Sequence, residues 1–260
     1  MTGATVLVLG GTGEARAVAR RLTESGTAGL RVVSSLAGRV SRPALPAGEV
    51  RVGGFGGVAG LTAWLAGNGV TVVVDATHPF AATMSAHAVA ASAEVPVPLL
   101  RVVRPAWTKR PGDAWHEVES EAAAAAVLPS LGQRAFVTTG RQGVAAYAGV
   151  TGVSFLIRCV DPPDGALPGD AEVMLARGPY DAAAELELMR SRGIDVLVTK
   201  NSGSELVAGK LAAARQLGIP VLMVRRPAAA GEAPLCCASA QVAAQMVLRH
   251  WVRRHGRGAG

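Results

Sequence analysis

The sequence predicts an α/β protein made of two doubly wound parallel-sheet units. Short apolar runs alternate with segments of helical periodicity along most of the chain, which implies strands joined by helical crossovers. Val72, Val73 and Val74 form an unbroken apolar run, as expected of a central strand covered on both faces. The alternation also runs twice, before and after a stretch rich in Pro, Trp and charge at 104–118.

In the first series, strands are expected at 5–9, 30–36, 49–53, 70–75 and 97–103, with helices at 14–25, 58–67 and 80–93. Such spacing favours parallel pairing through right-handed crossovers. The second series opens with the alanine-rich helix 121–131. Strands follow at 135–139, 154–160, 172–176, 195–199 and 220–224, and helices at 181–192, 205–217 and 241–251. The expected organisation is a nucleotide-binding unit over 1–103, a linker over 104–118, a second unit over 119–250 and a flexible basic tail over 251–260.

Composition narrows the function classes. Half of the 260 residues are apolar and 17% are charged, which suits a soluble globular chain. No apolar run is long enough to span a bilayer and no secretory signal opens the chain, so a cytoplasmic location is expected. The net charge is +7, but Arg249, Arg253, Arg254 and Arg257 crowd the C-terminal RHWVRRHGRGAG. The fold itself is only mildly basic, and no basic-plus-aromatic pattern points to nucleic acid. Cys159, Cys236 and Cys237 have no metal-ligand spacing, so no metal is expected.

The most informative stretch is VLVLGGTGEARAVARRL, residues 6–22. An apolar strand ends in Gly10, Gly11, Thr12 and Gly13, and helical spacing starts at once with Glu14. A glycine turn at a helix N-terminus lets a phosphate approach the backbone amides, where the helix dipole favours negative charge. Arg16 stands where the dinucleotide fingerprint G-x-G-x-x-G has its last glycine. The end of the second strand offers Ser34 and Ser35, with Arg39 just beyond, in place of the carboxylate that binds the ribose of NAD. Hydroxyls and a guanidinium suit a 2′-phosphate, which favours NADP(H); an ordinary serine pair and a solvated arginine give the same pattern.

In an open α/β sheet of order 3-2-1-4-5, ligands bind where the order reverses, beyond the ends of strands one and four. The glycine turn should therefore face DATHPFA, which brings Thr77 and His78 toward a cofactor or substrate. In the second series, AFVTTG ends in Thr139 and Gly140 before Arg141, and DVLVTK continues through Lys200 into Asn201, Ser202, Gly203 and Ser204. Facing strand ends would make Arg141 and Lys200 a positive pocket. RVVRPAWTKR gathers Arg101, Arg104, Lys109 and Arg110 without an acid, which reads either as a solvated loop or as a site for an anionic small molecule. A P-loop, a Tyr-x-x-x-Lys pair and a G-x-S-x-G elbow are all absent.

In this order and spacing, GGTGEAR, DATHPFA, TTGR and TKNSG resemble the precorrin-6A reductase family of cobalamin biosynthesis, from Val6 to about Val224. Ser204 departs from the second glycine of that family's TKNSGG. The resemblance implies two Rossmann-like domains with a ligand cleft between them, and NADPH-dependent reduction of one double bond of the precorrin-6A macrocycle to give precorrin-6B. It implies a cofactor site over Gly10, Gly11, Thr12, Gly13, Glu14, Ser34, Ser35, Arg39 and Thr77. An acidic tetrapyrrole would lie against Arg101, Arg104, Lys109, Thr139, Gly140, Arg141, Asn201, Ser202 and Gly203, with its carboxylates paired to the cations. Lys200 is the leading proton donor or charge stabiliser, with His78 and Asp75 behind it. Expected partners are the tetrapyrrole and, by direct product transfer, other enzymes of the pathway.

Overall fold

A computed structural model describes residues 3–38, 44–228 and 235–252. The chain divides into two units, one of Met1–Pro105 with Ala228–Gly260 and one of Ala106–Pro227. The first begins with β1 (Thr5–Leu9), α1 (Gly13–Thr23), β2 (Arg31–Leu36), β3 (Glu49–Val52), α2 (Gly57–Gly67), β4 (Val70–Asp75), α3 (Ala82–Glu94) and β5 (Leu99–Val102). The second holds β6 (Trp115–Val118), α4 (Glu121–Val127), β7 (Arg134–Val137), β8 (Ser154–Cys159), β9 (Ala171–Leu175), α5 (Ala182–Ser191), β10 (Val196–Lys200), α6 (Gly209–Leu217) and β11 (Val221–Val224). The chain then returns to the first unit with β12 (Leu235–Cys237) and α7 (Ala240–Val247).

Each unit carries one six-stranded sheet in which every pairing is parallel. The orders are β12-β5-β4-β1-β2-β3 and β6-β11-β10-β7-β8-β9. Both contain the expected 3-2-1-4-5 arrangement, with β1 and β7 in the strand-one position. The sixth place departs from the expected domain division. β6 lies within the stretch 104–118 that reads as a linker, yet it pairs along its whole length with β11. β12 and α7 lie within the expected second unit, yet β12 pairs with β5, and the Val103 amide donates to the Cys237 carbonyl. The reason is that WHEV and LCC are too short and irregular to show a strand period, so their partners are set by sheet edges distant in sequence. Residues 253–260 of the expected tail lie outside the described residues.

Alternation along β1 explains how the first sheet is covered. Val6 and Val8 face a cluster with Val18 and Leu22 of α1 and Ala243 and Val247 of α7. Leu7 and Leu9 face Leu61 and Leu65 of α2 and Ala88 and Ala91 of α3. All four β1 side chains are essentially inaccessible, as a central strand buried on both faces requires. In the second unit, Phe136, Leu156, Leu197 and Met223 pack with Met189 of α5 and Leu211 of α6. Within that unit Arg158 and Glu185 form a buried bidentate pair, 2.5 and 2.7 Å, with the guanidinium 3.6 Å from the Tyr180 ring centroid.

Helix α2 is entered through Gly53-Gly54-Phe55-Gly56-Gly57. A Cβ on Gly60 would stand 1.7 Å from the Phe55 carbonyl oxygen, so the turn and the helix fit only without a side chain there. Gly60→Ala should destabilise the protein by about 2–3 kcal/mol in urea unfolding, because the clash is with backbone and not with a movable side chain.

Candidate active site

The β1 turn and the loop after β4 meet as the strand order requires. Leu9 is in register with Asp75, and the Ala76 amide donates to the Leu9 carbonyl. Thr12 caps α1 by accepting from the Ala15 amide at 3.0 Å, and its hydroxyl donates to the Ala76 carbonyl at 2.7 Å. One buried side chain thus sets both the start of α1 and the separation of the two loops. Gly11 has φ +110° and is exposed, with nothing within 4 Å of where a Cβ would stand. The backbone beside the α1 N-terminus is therefore open to a phosphate, and the turn fits a dinucleotide.

Glu14, in the first turn of α1, accepts from Arg104 at 2.6 Å. Partial burial works against its charge, but the Arg104 guanidinium and the residue's own backbone amide outweigh it and hold the carboxyl below the ordinary glutamate range. Arg104 thereby neutralises an acid that would otherwise repel a phosphate at the turn.

Asp75 is 2% exposed. Its carboxylate accepts from the Thr77 amide and hydroxyl and from the Ser85 hydroxyl, and lies 3.5 Å from Arg101 Nε. These contacts hold the β4 loop in shape and fix Thr77. His78 Nδ1 accepts from the Phe80 amide at 3.2 Å. Arg101 and Arg104 belong to the first unit and are matched by acids, while Lys109 and Arg110 belong to the second and are exposed.

Within β2, Ser34 is buried and its hydroxyl has no hydrogen-bond partner among the described residues. Ser35 accepts from Arg51 at 2.9 Å. Arg39 lies outside the described residues. Arg51 did not emerge from the sequence, because its register beside Ser35 depends on the pairing of β2 with β3.

In the second unit, Lys200 ends β10 and its ammonium lies 2.6 Å from Glu121 Oε1, at the start of α4. Gly143 packs against both Glu121 and Thr139, within a 3₁₀ segment Arg141–Tyr147 that the sequence did not predict. Gly140 precedes it with φ +83° and open space above its backbone. Arg141 is 3.3 Å from Asp164. The Asn201 side chain is used on both sides by Trp107, accepting from its amide at 2.8 Å and donating to its carbonyl at 3.1 Å. Asn201 and Ser202 carbonyls accept from Arg226, and Ser202 is buried next to Gly203, φ +70°. Thr139, Gly140, Arg141, Lys200 and Glu121 thus lie at the carboxyl ends of β7 and β10, whereas Asn201 holds the Trp107 segment.

Lys210, one residue into α6, is buried 5.7 Å from the Trp107 ring centroid, with no acid in ion-pair range among the described residues. Burial, then the Arg158 charge, lower its pKa to about 7, against the opposing pull of Glu185.

The chain matches the family model described as "Precorrin-6x reductase CbiJ/CobK" over residues 5–248. It is 53% identical over 222 residues to a precorrin-6A reductase of Rhodococcus erythropolis, covering 85% of this chain and 89% of that one. It is 29% identical over 231 residues to a cobalt-precorrin-6A reductase of Salmonella typhimurium (strain LT2), covering 85% and 87%. The solved structure titled "CobK precorrin-6A reductase" superposes with a TM-score of 0.87 at 43% identity, covering 95% of this chain and 97% of that chain.

Thr12→Val, which removes the cap and the Ala76 bond together, should lower stability by about 1–3 kcal/mol in denaturant titrations, and Thr12→Ser should restore most of it. Lys210 is depressed in the folded state, so between its folded pKa near 7 and the unfolded value of about 10.4 the unfolded chain binds the extra proton. Its contribution makes stability rise with pH from 7 to 9; Lys210→Met should flatten that rise in melting temperatures followed by circular dichroism.

Proposed function

Because this chain belongs to the precorrin-6x reductase family, we propose that it reduces one double bond of precorrin-6A with NADPH, giving precorrin-6B in cobalamin biosynthesis. The observation that carries the cofactor reading is the open Gly11 backbone at the α1 N-terminus, beside a loop tied to it by Thr12. NADPH supplies the hydride when bound. Gly10 to Gly13 would hold the pyrophosphate through backbone amides, Thr77 is fixed by Asp75 in the loop tied to that turn, and the Glu14–Arg104 pair offsets the acid in the first turn of α1.

Saturating a carbon–carbon double bond takes a hydride at one carbon and a proton at the other. We assign the proton to the Lys200 ammonium, which Glu121 orients; the lysine recovers its proton from solvent. Gly140, with φ +83° and an open backbone, and the half-buried Arg141 receive the acidic substrate beside it. Asp75 is a positioning residue, since its oxygens are engaged by Thr77, Ser85 and Arg101. His78 remains a secondary proton donor. The metal-free macrocycle is the proposed substrate, because identity is 53% to the relative named for it and 29% to the relative named for the cobalt form. The cytoplasm, where NADPH and the free acid meet, is the proposed setting, with other enzymes of the pathway as partners for product transfer.

The absorbance of NADPH followed with metal-free and cobalt precorrin-6A side by side tests this: oxidation should be faster with the metal-free ring, and none with either overturns the reading. Lys200→Met should lower kcat by about 10²–10⁴-fold while NADPH binding stays within about twofold, and Glu121→Gln should lower kcat less.

A further inference from the structure

Arg51 differs from the paired arginines of its unit in what holds it. Arg31, Arg101 and Arg104 each face a carboxylate. Arg51 is fixed by neutral acceptors: Nη1 donates to Ser35 Oγ and to the Gly53 carbonyl, both at 2.9 Å, and Nη2 donates to the Gly54 carbonyl at 3.0 Å. The guanidinium stacks on Phe55, 3.8 Å from the ring centroid. No acid lies in ion-pair range of it among the described residues. A rigid, half-buried cation with no counter-charge is costly by itself, and partial burial accordingly lowers its pKa.

Three of its five N–H groups are used. Among the described residues the Nε–H and one Nη2–H have no acceptor, and these belong to the edge of the guanidinium that grips an oxyanion with two parallel bonds. The position is specific as well. Arg51 lies in register with Ser35 at the carboxyl ends of β2 and β3, the place where a dinucleotide's adenosine ribose lies in a doubly wound sheet. No carboxylate stands at the end of β2 to accept from a free 2′-hydroxyl. Gly53, whose carbonyl accepts from Arg51, has φ +117° and nothing within 4 Å of where a Cβ would stand.

We propose that Arg51 is the residue by which this protein selects the phosphorylated coenzyme, its free edge binding the 2′-phosphate while Ser35 and Phe55 hold the guanidinium in place. This rests on the NADPH reading above. Calorimetric titration of the full chain with adenosine 2′,5′-bisphosphate and with 5′-AMP isolates the 2′-phosphate. The wild type should bind the bisphosphate at least about tenfold more tightly, and Arg51→Gln should erase most of that ratio with 5′-AMP affinity kept within about twofold. Arg51→Lys, which keeps the charge and most of the stem, should retain only part of the ratio and serves if the Gln variant does not fold. A wild type without any preference overturns the NADPH reading itself. A wild-type preference that survives in Arg51→Gln, or in full in Arg51→Lys, overturns the role of Arg51 alone.

Discussion

Thr12 joins two loops that lie 64 residues apart in the chain, and the geometry of the glycine turn depends on that join. Its hydroxyl accepts from the Ala15 amide and donates to the Ala76 carbonyl, so it starts a helix and ties it to the neighbouring strand end in one step. The bond is buried, so breaking it leaves an orphaned carbonyl as well as an uncapped helix. Around it the backbone of Gly11 stays open. The first sheet supplies the frame: β1 lies between β2 and β4, both in parallel register, and is covered on both faces.

Charge is distributed by a second constraint, the cost of leaving an ion in a half-buried place without a partner. Glu14 is matched by Arg104, Asp75 by Arg101, Glu121 by Lys200, and the buried Glu185 by Arg158. Lys210 and Arg51 have no carboxylate in ion-pair range among the described residues. Lys210 answers by a lowered pKa beneath the Trp107 ring. Arg51, which stays protonated at any ordinary pH, is held in place by carbonyls, a serine and an aromatic face.

Most of the strands and helices were legible in the sequence, because β1, β4, β7 and β10 are short apolar runs separated by segments of helical spacing. The glycine turn and the facing DATHPFA loop were legible for the same reason: the alternation of strand and helix fixes a strand order, and the order fixes which loops meet. The sixth strand of each sheet was not, since LCC and WHEV are three and four residues long and carry no period. The acids that match Arg101 and Arg104 were not legible either, because Asp75 and Glu14 lie far away in the chain. Glu121 and Arg51 escaped notice because neither belongs to a motif; each matters through a neighbour set by sheet pairing or helix placement, Lys200 for one and Ser35 for the other.

By itself the sequence determined the α/β class, the repeated strand order, the glycine turn and the family resemblance, all of which follow from local periodicity and from residues adjacent in the chain. Tertiary structure alone decided which unit the strands β6 and β12 complete and which acid neutralises which base. It also decided which neutral groups hold Arg51. Those outcomes depend on parallel pairing between distant segments, and a parallel ladder brings together side chains whose separation along the chain has no period to read.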